Sequence, residues 1–256
     1  MKNYLFKIKY DGSSFHGWQI QQNASTVQQS LTEAFEQIFQ KHIVIHGCSR
    51  TDSGVHANEF CFSAKLETAM PCDRIIKAVN AKMPESACVY ACCEVRDDFH
   101  ARFDCKGKEY VYRILNTEYP DPFLVGRTYH YKYKLDEEIL DKEAKSFIGT
   151  HDFAAFCASG SSVESTVRTL YDCAVRREND EIIFTVSGDG FLYNMVRIMV
   201  GTLIDISRGK IECGCIPQII ESKDRNRAGV TAPACGLYLN KVFYEENIYG
   251  QRTAEA

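Results

Sequence analysis

The sequence predicts an α+β fold. It reads as two similar β-α-β-β-α-β halves whose antiparallel or mixed sheets pack into one continuous sheet. Three observations predict this. Residues 3–95 run through strand-like and helix-like periodicities in the split βαβ order. Residues 109–244 echo that series more loosely. The composition, 45% hydrophobic and 25% charged over 256 residues, suits a soluble globular chain long enough to bury a core.

Each element follows from its local pattern. NYLFKIKY (3–10) alternates as a strand does. Residues 25–41 set Val27, Leu31, Phe35, Ile38 and Phe39 on one helical face, and Ser25 with Gln28 forms a capping-box pattern. HIVIHGC (42–48) and NEFCFSAKL (58–66) read as strands, with the loop SRTDSGVHA (49–57) between them. A helix at 72–82 and a strand at 87–95 complete the first half. In the second, EYVYRILN (109–116) and RTYHYKY (127–133) read as strands and 136–148 as a helix. Residues 167–177 and 181–188 form a hairpin around Glu178-Asn179-Asp180. Helices at 191–207 and 213–223 precede a last strand, GLYLNKVFY (236–244). The expected division is an N-terminal half at 1–104 carrying the SRTDSGVHA loop, a C-terminal half at 105–247, and a frayed tail at 248–256.

Composition excludes some classes. The net charge of −4 argues mildly against a nucleic-acid partner without excluding one, because binding follows the local arrangement of Lys and Arg. The twelve cysteines are scattered, and no pair has C-x-x-C spacing. They read as reduced thiols of a cytoplasmic protein, with no metal site. Lysines interrupt the apolar start MKNYLFKIKYDG, so no signal peptide is expected. The stretch FLYNMVRIMVGTLIDI (191–206) is too short for a bilayer and carries Arg197 and Asp205, so it reads as a buried helix.

Four stretches can carry chemistry. In SRTDSGVHA, Asp-Ser-Gly alone is a turn tripeptide. The sharper reading makes Asp52 a catalytic carboxylate, with Arg50 beside it to orient it and keep it ionised. His56 fits a structural hydrogen-bonding role better than a catalytic one. CKGKEYVYRI (105–114) sets Tyr110 and Tyr112 on one face of a basic-aromatic strand, where an aromatic can stack on a nucleobase. Strand tyrosines are more often packing residues. In GFLYNMVRIMVG (190–201), Asn194 and Arg197 share a helical face, and a buried arginine needs a partner. That partner is structural or lies in the same cleft as Asp52. DDFHARFD (97–104) mixes charge and aromatics and reads alone as a solvated turn with one core phenylalanine.

Taken with YDGSSFHGWQ (10–19), these motifs resemble, in order and over nearly the whole chain, the tRNA pseudouridine synthase A family. The resemblance implies an isomerase acting on tRNA uridines of the anticodon stem-loop, at positions 38, 39 and 40. It implies a homodimer with a basic cleft, an active-site cleft between the halves, and no cofactor. By the same resemblance, Asp52 matches the catalytic aspartate and Tyr110 the tyrosine that stacks on the target base. Arg50 matches the arginine of the aspartate motif, and Arg197 the arginine that approaches the aspartate. Ser49 and Ser53 stand where that motif usually has Gly and Ala, and Ile20 where Arg often follows Gly-Trp-Gln.

Two rival readings remain at this level. A non-catalytic RNA-binding module explains Tyr110 but not a carboxylate set against phosphate. An aspartic protease shares the Asp-Ser-Gly signature, yet Arg50 would spoil the shared proton that two such aspartates need.

Overall fold

The computed structural model describes residues 1–160 and 163–245. The expected tail at 248–256 lies outside the described residues. The chain divides into two compact units, Met1–Lys106 with the chain from Leu239 on, and Gly107–Tyr238. The sequence placed the last strand wholly in the second half. The chain from Leu239 on instead groups with the first unit, where this strand lies beside one of that unit's own.

The first unit is α+β. It contains β1 (Lys2–Tyr10), α1 (Val27–Phe39), β2 (Ile45–Gly47), β3 (His56–Leu66), α2 (Cys72–Asn80) and β4 (Ala87–Val95). β1 pairs antiparallel with β4 and with β3, β3 pairs antiparallel with β2, and the end of the final strand, Leu237–Phe243, lies beside β3. This is the split βαβ order expected from the sequence.

Val27, Leu31, Ala34 and Phe35 bury one face of α1. Phe35 meets Phe6 edge-on at 5.5 Å, and Phe6 stacks on Phe62 at 4.8 Å. Burying each such ring contributes about 1.5–3 kcal/mol. The helix cap differs from the expected one. Thr26, not Ser25, is the N-cap, and its side chain accepts from the Gln29 N–H. The expected strand at 42–48 shortens to three residues because only Ile45–Gly47 pairs with β3.

The second unit is also α+β. It comprises β5 (Gly107–Leu115), β6 (Tyr129–His130), α3 (Glu137–Ala144), β7 (Gly149–Asp152), β8 (Val167–Glu178), β9 (Glu181–Gly188), α4 (Met195–Ser207) and α5 (Ile216–Ser222). Its strand order is β5-β9-β8-β7, with β6 parallel beside β5. The β8–β9 hairpin turns at Asn179, whose φ of +52° suits asparagine in a two-residue turn. Strand β7 had no sequence signal.

Helix α4 buries eleven of its thirteen residues, as its apolar composition requires. It starts four residues later than the periodicity predicts, because Asn194 sits at φ +59°, a left-handed conformation that no α-helix contains. No helix among the described residues is long and apolar enough to cross a membrane.

Candidate active site

The loop between β2 and β3 carries Asp52, and residues 10–18 form the bed on which it lies. A β-carbon at Gly12 would meet the Val55 carbonyl oxygen at 2.0 Å, so only glycine permits this approach. Gly17, at φ +88°, lies nearly as close to the loop, since a β-carbon there would meet the Thr51 carbonyl oxygen at 2.6 Å. The Tyr10 hydroxyl bonds the Thr51 hydroxyl at 2.9 Å. The Trp18 N–H donates to the Thr51 carbonyl at 3.1 Å, and the Gly54 N–H donates to the Phe15 carbonyl at 3.4 Å. Trp18 is itself fixed by stacking on Phe60 at 3.9 Å. Thr51 and Val55 are buried, while Asp52 between them is half-buried.

Asp-Ser-Gly is a turn as well as a carboxylate holder. The Val55 N–H donates to the Asp52 carbonyl at 3.2 Å, and Gly54 takes φ +78°. His56 is buried, and the Gly12 N–H donates to its Nδ1 at 3.0 Å. Asp11 Oδ1 lies 3.2 Å from the same nitrogen. His56 therefore ties the loop to its bed, in keeping with the structural reading.

Arg50, two residues before Asp52, is exposed and lines a groove of about 200 Å³ within the first unit. Trp18, Gln19, His46, His100, Arg102 and Phe103 also line it. His100 is held below its ordinary pKa by burial and by the neighbouring His46, so it is an uncharged ring at neutral pH.

Tyr110 and Arg197 belong to the second unit. Tyr110 on β5 is buried, with its ring edge-on to Phe191 at 4.9 Å. Tyr112, two residues on, is fully buried, and its hydroxyl donates to the Pro233 carbonyl at 2.7 Å. Burial pushes the Tyr112 phenol well above its usual range, so it stays neutral. Arg197 donates from Nε to the Ala232 carbonyl and from a terminal nitrogen to Asn194 Oδ1, each at 2.7 Å. Asn194 thus lies before the helix and serves Arg197 rather than sharing its helical face.

Among the described residues, no group of His, Cys, Asp and Glu side chains is arranged to hold a metal ion. None of the twelve cysteines is in a disulfide among the described residues, and burial pushes the Cys61 thiol, which lies beside Cys48, well up. Sequence reasoning singled out the loop but not its bed. The glycines of YDGSSFHGW were a usable signal, since a close approach needs them, but nothing local named Val55 and Thr51 as their partners.

The family model described as tRNA pseudouridine synthase matches residues 7–104 and 144–245. The chain belongs to this family. The tRNA pseudouridine synthase A of Acetivibrio thermocellus is 47% identical over 244 residues, covering 95% of this chain and 100% of that protein. The same-named protein of a Thermoanaerobacter species is 43% identical over 244 residues, with the same shares covered. That of Staphylococcus aureus is 42% identical over 243 residues, covering 95% of this chain and 91% of its own. Arg50, Asp52 and Arg197 fall within the matched segments, and Tyr110 falls between them. Membership in the tRNA pseudouridine synthase family makes the chain an isomerase and displaces the protease and non-catalytic readings.

Proposed function

We propose that this protein isomerises uridine to pseudouridine at positions 38, 39 and 40 of the tRNA anticodon stem-loop, with Asp52 as nucleophile. The reaction breaks the bond from uracil N1 to ribose C1′, turns the detached base, and rejoins it to C1′ through C5. The C5 proton is lost and N1 gains one, so atoms and electrons balance without a cofactor. Asp52 serves by attacking C1′ or by adding to C6 of the uracil. The target must leave its helical stack to reach the carboxylate. Tyr110 stacks on the flipped base, which recovers about 1–3 kcal/mol of that cost. Arg50 and Arg197 are the substrate-binding cations. The enzyme works in the cytoplasm as a homodimer on one basic tRNA surface.

The observation that carries this reading is the rigid presentation of Asp52 by a bed that does no chemistry itself. Catalysis needs a reacting group held close to its productive position. The test is to map pseudouridines in tRNA from cells with and without the gene, and in transcripts treated with purified protein. Pseudouridine at 38–40 should vanish without the gene and appear on treatment. An unchanged map in both would overturn the proposal.

A further inference from the structure

We propose that the groove walled by Trp18, His46, Arg50, His100, Arg102 and Phe103 seats a second nucleotide of the RNA substrate, outside the reacting position. Its base stacks on Phe103, and its phosphate meets Arg102 and Arg50. This rests on the RNA-modifying reading above and adds a subsite to it.

Phe103 is 77% exposed and lines the groove. The turn beneath it is rigid. Asn3 donates to the Phe99 carbonyl at 2.9 Å, the Tyr244 hydroxyl donates to the Ala101 carbonyl at 2.6 Å, and the Ala101 N–H donates to Ser63 at 3.2 Å. The His100 N–H donates to the Asp104 carboxylate at 2.7 Å, and Arg96 pairs with that same carboxylate. His100 Nδ1 accepts the Arg102 N–H at 3.1 Å, which fixes the imidazole. The His100 ring lies 4.3 Å from Phe103 and 4.5 Å from His46, so three rings form a short row. A fixed aromatic row in water is a stacking platform for a base.

The charge fits the same ligand. The groove is lined by Arg50 and Arg102 and by no carboxylate. The Arg102 guanidinium lies 6.0 Å from the Phe103 ring centre, so phosphate and base contacts fall within one nucleotide. Ser49 and Arg50 in its wall belong to the same loop as Asp52, so the groove adjoins the segment that carries the carboxylate.

The test uses the full chain carrying Asp52→Asn, with tRNA transcripts that hold 2-aminopurine at one unpaired anticodon-loop position at a time. One position should show saturable quenching. Adding Phe103→Ala should abolish that quenching and raise Kd about 5- to 150-fold. Phe103→Trp should keep both, and Phe103→Leu should lose both. Arg102→Ala should lower the slope of log affinity against log salt by about 1. Equal quenching and Kd for Phe103→Leu and the parent would overturn the subsite, and that comparison holds even if Phe103→Ala folds poorly. Wild-type protein that makes no pseudouridine in tRNA would overturn the function reading instead, since the fluorescence needs no turnover.

Discussion

The Asp52 loop and the start of the Arg197 helix hold opposite charges by one shared device and one that differs. In each, a glycine lets two backbones touch. Gly12 meets the Val55 carbonyl in the first unit, and a β-carbon at Gly201 would lie 1.7 Å from the Val230 carbonyl in the second. The difference lies in what the charged side chain does. Arg197 is part of its own scaffold, gripping Ala232 and Asn194. The Asp52 loop is fixed through its neighbours, Thr51, Gly54 and Val55. An arginine has donors to spare for structure.

The largest expected effect breaks the comparison at its chemical end. Asp52→Asn removes the ionised group and leaves the contacts of Thr51, Gly54 and Val55 in place. The turnover number should fall by at least about 10³-fold, while the variant still melts cooperatively and binds tRNA. Turnover near wild type, measured by pseudouridine formation on a tRNA transcript, would remove Asp52 from the reaction.

Gly12→Ala tests the frame. Residue 12 offers no side chain to the chemistry, yet its added carbon must push Val55 away. Stability should drop by about 1–3 kcal/mol, and activity should drop with it because the loop moves. Gly190→Ala is the control. Its nearest neighbour is the flexible Arg168 side chain at 3.3 Å, so its cost should stay within about 0.5 kcal/mol. Equal activity and melting for the two variants would mean that the bed does not position the loop.

Arg197→Lys tests the other side of the comparison. Lysine keeps the charge but cannot present two donors in a fixed fork. One charged hydrogen bond should be lost, at about 1.5–3 kcal/mol, and thermal melting should report it. An unchanged melting temperature would mean that charge alone, not geometry, holds the segment from Asn194 to Ala232.

The same contrast explains what was legible in the sequence. Periodicity found α1 and α2 because each buries one helical face, through Val27, Leu31 and Phe35 and through Ile75 and Val79. Motif residues found the Asp52 loop because turn, charge and histidine are written in adjacent letters. The bed was not legible, because Gly12 and Val55 are far apart in sequence and meet only when β1 pairs with β3. The start of α4 was misjudged by four residues because apolar periodicity runs through Leu192, while the backbone at Asn194 turns left-handed. Strand β7 was missed because GTHD has no alternation and is fixed by its pairing with β8. DDFHARFD read as a turn with one core phenylalanine. The core residue is Phe99, and the exposed Phe103 joins a row of rings through His100 whose far member, His46, is distant in sequence.

The smallest expected effect separates two tyrosines on one strand. Tyr112→Phe loses the hydroxyl bond to Pro233 deep in the core, so it should cost about 1 kcal/mol of stability and leave turnover unchanged. Tyr110→Phe keeps the ring and its edge-on contact with Phe191, worth about 0.5–1.5 kcal/mol. Its base-stacking face also survives, so tRNA affinity should hold. Any fall in turnover then belongs to the hydroxyl, and a larger isotope effect with uridine deuterated at C5 would assign it to removal of the C5 proton. Tyr110→Ala cannot separate these, since truncating a buried ring costs about 3–5 kcal/mol by itself. Wild-type turnover and affinity in Tyr110→Phe, with an isotope effect equal to the parent's, would confine Tyr110 to stacking and packing. A loss of tRNA affinity in Tyr110→Phe would show that its hydroxyl, rather than its face, meets the RNA.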